Sequence, residues 1–77
     1  MNKDFYKKLG SRIKAKRKNL NITQQQLADK VGISLNFMGK IEVAFSKPSL
    51  DTLIDIANAL NITLSDLCNF NSDKNID

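Results

Sequence analysis

The side chains with the most informative chemistry stand in one short stretch, residues 23–42, which reads TQQQLADKVGISLNFMGKIE. Its second half carries a hydroxyl, an amide and an amine group, on Ser34, Asn36 and Lys40, and the last two are one helical turn apart. Such groups make the hydrogen bonds that base edges and phosphates of duplex DNA offer. The stretch therefore predicts a helix suited to touching DNA.

Two short helices joined by a tight turn are predicted within this stretch. Thr23 and Gln26 have the spacing of a capping box, which marks a helix start. Gly32 should end that helix, because the residue at such a turn usually needs a positive φ. Ser34 can then cap the second helix. Helices joined so tightly cross at a steep angle, so we expect the second helix to protrude.

Apolar periodicity predicts five helices in all and no strand, which is an all-α fold class. The predicted helices cover about residues 4–18, 23–31 and 34–42, a fourth from Ser49 to Asn61, and a fifth that Thr63 can cap. Residues 1–70 should form one compact domain, and the polar residues 71–77 a disordered tail. Leu20 and Ile22 are expected in the core. Gly10 should weaken the first helix unless close helix packing requires it.

Composition and charge exclude several classes of protein. The chain has no histidine and one cysteine, Cys68, so we expect no disulfide, no metal site, no cofactor and no enzyme activity. No apolar run is long enough to cross a membrane, which favours a cytoplasmic protein. Residues 1–19 hold eight Lys or Arg and one Asp, whereas residues 51–77 hold one Lys and five Asp. The basic end should attract polyanions, although these lysines could also serve only to keep a helix face in solution.

Four pieces of the chain, in order, are similar to the lambda-repressor and Cro-like helix-turn-helix family of DNA-binding proteins. They are LGSRIKAKR at 9–17, ITQQQLADKVGIS at 22–34, MGKIE at 38–42 and PSLDTL at 48–53. The resemblance covers roughly residues 7–70. It implies a homodimeric transcriptional regulator, associated with the nucleoid, that binds a double-stranded DNA operator with the helix at 34–42 in the major groove.

The resemblance also implies a role for particular residues. Base edges should be met by Leu35, Asn36 and Lys40, and phosphates by Gln24, Ser34, Phe37, Ser46 and Lys47. Phe37 is expected to lie half in the core, and Gly39 to leave the backbone bare. Arg17 and Glu42 match positions that form a partly buried ion pair. Leu64 and Phe70 are the predicted dimer contacts. For Arg12, Lys16 and Lys18, solvation is expected rather than phosphate contact.

The chain departs from the family pattern after Glu42. Relatives usually carry a glycine soon after the Ile-Glu pair, whereas Val43, Ala44 and Phe45 follow here. Without the glycine, we expect the chain to leave this helix by a different turn. Phe45 should pack back on the core, with an exposed contact to a partner as the alternative.

Two other functions are compatible with the same fold. One is an antitoxin-type module that binds a small protein partner and represses its own operon. The other is a restriction-modification controller protein, which is a narrower kind of DNA-binding regulator. RNA binding is less well supported, because the usual aromatic pairs on a sheet or glycine-rich clamping loop are not seen in the sequence.

Overall fold

The computed structural model describes residues 3–70, and within them the chain forms five helices and no strand. The helices are α1 (Lys3–Asn19), α2 (Gln24–Val31), α3 (Leu35–Glu42), α4 (Leu50–Ala59) and α5 (Leu64–Leu67). Each begins within one residue of its predicted start, and the all-α fold class is confirmed. The predicted tail, residues 71–77, lies outside the described residues.

The same capping device begins each of the last four helices. A Ser or Thr side-chain oxygen accepts a hydrogen bond from the backbone N–H three residues later, which satisfies a donor that the helix cannot pair. The pairs are Thr23 with Gln26, Ser34 with Phe37, Ser49 with Thr52 and Thr63 with Asp66, at 2.9–3.1 Å. At α2 the Gln26 side chain also accepts from the Thr23 backbone N–H at 2.8 Å, which completes the predicted capping box.

The first four helices all end in a left-handed residue, namely Asn21, Gly32, Ala44 and Asn61, with φ of 58°, 86°, 63° and 61°. The next residue then donates its backbone N–H to the carbonyl five positions back, as in a Schellman motif. These bonds run from Ile22 to Arg17, Ile33 to Ala28, Phe45 to Lys40 and Ile62 to Ala57. The expectation of a different turn after α3 is therefore wrong. Without a glycine, α3 ends in the same left-handed turn that ends α2 at Gly32, with Ala44 in the strained position.

A single apolar core lies between the helices. Among the described residues, its buried side chains are Leu9, Ile13, Leu27, Ala28, Met38, Ile41, Leu53, Ile56, Ala57, Leu60 and Leu67. Ile22 packs against this core as predicted. The prediction for Leu20 is wrong, since 42% of this residue is exposed. It precedes the left-handed Asn21, and that turn returns Ile22 rather than Leu20 to the core.

The backbones of α1 and α3 touch at Gly10. A Cβ atom there would lie 2.5 Å from the carbonyl oxygen of Glu42 and 2.6 Å from that of Ile41, which is closer than such atoms can approach. Glycine at this position is therefore required by close helix packing. The contact fixes α3 against the longest helix of the domain.

Arg12 ties α1 to α5, and the expectation that it is solvated is wrong. It is buried, and its Nε donates to the Asp66 backbone carbonyl at 3.0 Å while Nη2 lies 3.4 Å from the Asp66 carboxylate. In addition, the Phe5 ring of α1 packs edge-on against Phe70, which follows α5, with 5.4 Å between centroids. The N-terminal helix thus holds the short last helix in place.

Replacing Ala44 with glycine should stabilise the fold. A residue with a Cβ atom is strained at φ 63°, and relief of that strain should raise the free energy of unfolding by about 1 kcal/mol. The same substitution at Ala15, exposed in the middle of α1, should lower it by about 1 kcal/mol, since glycine disfavours helix. Urea unfolding of both variants measures these shifts. Destabilisation in both would contradict the strain at Ala44.

Candidate nucleic-acid interface

One side of α3 faces away from the rest of the molecule. Met38 and Ile41 are buried on its inner side, while Leu35 and Asn36 are exposed and Lys40 is half-buried on the other. The three residues predicted to meet base edges therefore lie together on an accessible helix face. The Ser34 hydroxyl oxygen caps this helix by accepting the Phe37 N–H, and Phe37 itself packs partly against the core.

An open concavity of about 470 Å³ lies along this side of α3. Its lining consists of Gln24, Leu35, Asn36, Gly39, Lys40, Val43 and Phe45. The concavity brings the predicted phosphate contact Gln24, from α2, beside the predicted base contacts from α3. Val43 and Phe45 complete it at the C-terminal end of the helix.

Arg17 and Glu42 form a buried, bidentate ion pair between α1 and α3. Arg17 Nε donates to Glu42 Oε2 at 2.7 Å, and Nη2 donates to Oε1 at 3.1 Å. Arg17 Nη1 also donates to the Ile22 carbonyl at 2.9 Å, so the connection before α2 is held by the same guanidinium. Paired hydrogen bonds of this kind fix orientation as well as distance.

Gln24 extends this network towards the surface. Its Nε2 donates to Glu42 Oε1 at 3.0 Å, an interaction that was not predicted from the sequence. The side chain is half-buried at the first turn of α2, where its remaining amide hydrogen and its oxygen are left for other partners. The buried pair thereby orients a polar group that borders α3.

The loop after α3 carries the other predicted phosphate contacts. Ser46 is half-buried, and its backbone N–H donates to the Lys40 carbonyl at 3.2 Å. Lys47 is exposed, with Nζ 5.5 Å from the centroid of the Tyr6 ring on α1. Loop and α1 thus meet through a contact between a cation and an aromatic face.

Phe45 does not pack on the core, so the main expectation for this residue is wrong. It is exposed, as the alternative expectation requires, and its contact with a partner stays a prediction. It is 77% exposed, and Lys40 Nζ lies 5.6 Å from its ring centroid. Val43 is 72% exposed beside it. The left-handed turn at Ala44 sets the direction in which Phe45 leaves α3. The residue types around Ala44 do not indicate this direction in the sequence.

The predicted dimer contacts lie at the edge of the core. Leu64 and Phe70 are half-buried and pack partly against the core. Cys68 is also half-buried, and burial raises the pKa of its thiol above the ordinary value, with Arg12 nearby acting in the opposite direction. This thiol therefore stays protonated at neutral pH. No helix among residues 3–70 is long and apolar enough to span a membrane.

Comparisons with known proteins give a consistent set of relatives. The profile of a family described as helix-turn-helix, of the Cro/C1 type, matches residues 13–67. The chain is 41% identical over 61 residues to the cryptic phage CTXphi transcriptional repressor RstR of Vibrio cholerae, covering 79% of this chain and 54% of that protein. It is 46% identical over 57 residues to the immunity repressor protein of Bacillus phage phi105, covering 74% and 40%. The chain thus spans about half the length of these repressors, or less.

A solved structure is also similar. The restriction-modification controller protein C.AhdI from Aeromonas hydrophila superposes with a TM-score of 0.79 at 27% sequence identity, over 80% of this chain and 94% of that one.

Removing the charge of Glu42 should strongly destabilise the domain. Glu42→Gln leaves the buried Arg17 without its counter-charge, which should lower the free energy of unfolding by about 3 kcal/mol. Asp55→Asn makes the same chemical change at an exposed position of α4 and should have little effect. Equal urea midpoints for the two variants would show that the ion pair does not stabilise the fold.

Proposed function

The chain belongs to the Cro/C1-type helix-turn-helix family, and on this premise we propose that it binds a double-stranded DNA operator as a transcriptional repressor. The observation that carries the proposal is the accessible side of α3. Leu35, Asn36 and Lys40 can be reached from solvent on this side, whereas the inner side of the helix is buried. A helix of this kind, crossing a partner helix after a tight turn, fits the major groove. The relatives are regulators and not enzymes, in agreement with the expectation from composition.

In this proposal, three residues of α3 read the bases. The Asn36 amide can donate to and accept from adenine, and the Lys40 amine can reach the acceptors of guanine. Leu35, with 44% of its surface exposed, offers an apolar contact for a thymine methyl group. All three lie on the side of α3 that borders the concavity.

Phosphate contacts position the domain on the duplex. The proposed set is Gln24, Ser34, Phe37, Ser46 and Lys47. Gln24 stands at the first turn of α2, where unpaired backbone N–H groups also favour an anion. Its hydrogen bond to Glu42 holds the amide in one orientation before DNA arrives, which reduces the entropy lost on binding. Ser34 can donate its hydroxyl hydrogen while its oxygen continues to cap α3.

We also propose that the working form is a homodimer, with Leu64 of α5 and Phe70, three residues after that helix, in the contact. Both are half-buried within one copy, so each retains an apolar portion that a second copy could cover. A symmetric dimer would present two α3 helices about 34 Å apart, which matches successive major grooves. Such a protein would be found with the nucleoid.

The similarity to C.AhdI favours a second, narrower candidate, a controller of a restriction-modification system. It uses the same DNA-binding surface, so the residue roles above are unchanged. The relatives described here give no support to an antitoxin with a small protein partner, and the proposal is not extended to one.

Selection of bound fragments from random duplex DNA tests the main proposal and supplies the target site. On that site, Asn36→Ala should weaken binding by about 1–3 kcal/mol while binding to random DNA is almost unchanged. Lys47→Ala should weaken both by similar amounts and lower the slope of log affinity against log salt by about one. Equal losses on both DNAs for Asn36→Ala would remove it from the base contacts, and no enrichment of any sequence would contradict the function.

Sedimentation of the full chain tests the dimer. The chain should sediment as a dimer at micromolar concentration or on its selected site, and Phe70→Ser should shift it towards monomer. Leu20→Ser, which alters an exposed leucine in the turn after α1, is the matched control. Circular dichroism confirms that both variants are folded. A wild-type monomer, both free and on DNA, would contradict the dimer.

A further inference from the structure

Gly39 lies in the middle of α3, and the packing of the domain does not require a glycine there. A Cβ atom would lie 3.6 Å from Gln24 Oε1 and 3.9 Å from Nε2, which are ordinary contact distances. At Gly10, in contrast, the same atom would collide with backbone. A glycine inside a helix is less favourable than alanine, so Gly39 weakens α3 without a benefit to the fold.

The bare backbone at Gly39 lines the concavity beside α3, together with three apolar side chains. Leu35 stands one turn before Gly39 and Val43 one turn after, on the same helix face. Phe45 closes the end of the concavity. Water therefore meets apolar side chains here.

The exposure of Phe45 also does not stabilise the folded domain. At the other three left-handed helix ends, the residue that follows the turn is Ile22, Ile33 or Ile62, and each packs partly against the core. Phe45 occupies the same place in its own turn yet stays exposed, beside the Lys40 amine. Exposure of a phenyl ring forgoes the stabilisation that burial would give. Its contribution should therefore come from contact with a ligand.

We propose that Leu35, Gly39, Val43 and Phe45 form a site that takes the C5-methyl group of a pyrimidine in the major groove. This inference rests on the proposed function and names the part of the DNA that this end of α3 reads. The C5-methyl is the apolar group that a base pair presents in that groove, and thymine and 5-methylcytosine both carry it. The missing side chain at Gly39 lets the base edge approach the helix backbone.

The surroundings of the site favour DNA over an apolar protein surface. Asn36 and Lys40 border the same concavity, so a ligand seated on the apolar residues would also meet an amide and a cation. The edge of a base pair with its neighbouring phosphates offers partners to all of these groups at once. An apolar protein surface would leave the amide and the amine without partners as it covered them.

The test uses the full-length protein and its selected site, with each pyrimidine position replaced in turn. Thymine is compared with uracil, and cytosine with 5-methylcytosine, so that each pair differs by one methyl group. At one position, wild-type protein should bind the methylated base about fourfold more tightly, as expected for burial of a methyl-sized group. The two pairs show whether thymine alone, or 5-methylcytosine as well, is accepted.

Two variants should abolish this preference. Gly39→Ala fills the floor of the site, so it should bind methylated and unmethylated duplexes equally, while its thermal midpoint rises by a few degrees because alanine favours helix. Phe45→Ser removes the end wall and should also bind both duplexes equally, with an unchanged midpoint. Leu20→Ser, an exposed leucine outside the concavity, should keep the fourfold preference.

Two results would overturn the inference. Equal binding of methylated and unmethylated duplexes by the wild-type protein at every position would do so, and so would a fourfold preference retained in both Gly39→Ala and Phe45→Ser. In either case the protein still binds its selected site, so the proposed function stands. Failure of the wild-type protein to select any DNA sequence would overturn the proposed function and this inference together.

Discussion

The arrangement of the first three helices depends on one buried ion pair. Arg17 on α1 holds Glu42 at the end of α3 and the Ile22 carbonyl before α2, and Glu42 in turn holds Gln24 at the start of α2. A charge buried without its partner is strongly unfavourable, so these groups keep one relative arrangement. The close backbone contact at Gly10 adds a steric limit to the same junction. The exposed side of α3 is consequently presented by a rigid support, and the proposed contacts with DNA require little rearrangement.

Much of the fold could be predicted because its signals are local. Each of the last four helices begins at a Ser or Thr whose side chain reaches a backbone group three residues away, and three of the four left-handed ends have the Asn or Gly that such a φ favours. The prediction that Leu20 is buried was wrong because the direction of a short connection depends on backbone angles and not on hydrophobicity. The prediction that Arg12 is solvated was wrong because its partner, Asp66, lies 54 residues away in the sequence. No local pattern links the two.

The candidate site likewise has a part that could be predicted from the sequence and a part that could not. The family resemblance predicted Leu35, Asn36 and Lys40 as base contacts, and the structure places all three on the accessible side of α3. The contribution of Val43 and Phe45 could not be predicted from the sequence, because it depends on the direction that the turn at Ala44 gives to the chain after α3. The hydrogen bond from Gln24 to Glu42 likewise joins two helices, and it appears only when both ends are placed in space.

The exposed position of Phe45 has a consequence for how such proteins diverge. Since its side chain contributes little to the core, a mutation there can alter what the surface recognises while the folded state is retained. Met38 and Ile41, on the buried side of α3, cannot be changed in this way, because any change in their volume disturbs close packing. New target preferences could therefore arise within a lineage at the exit of α3, one substitution at a time, through intermediates that all remain stable.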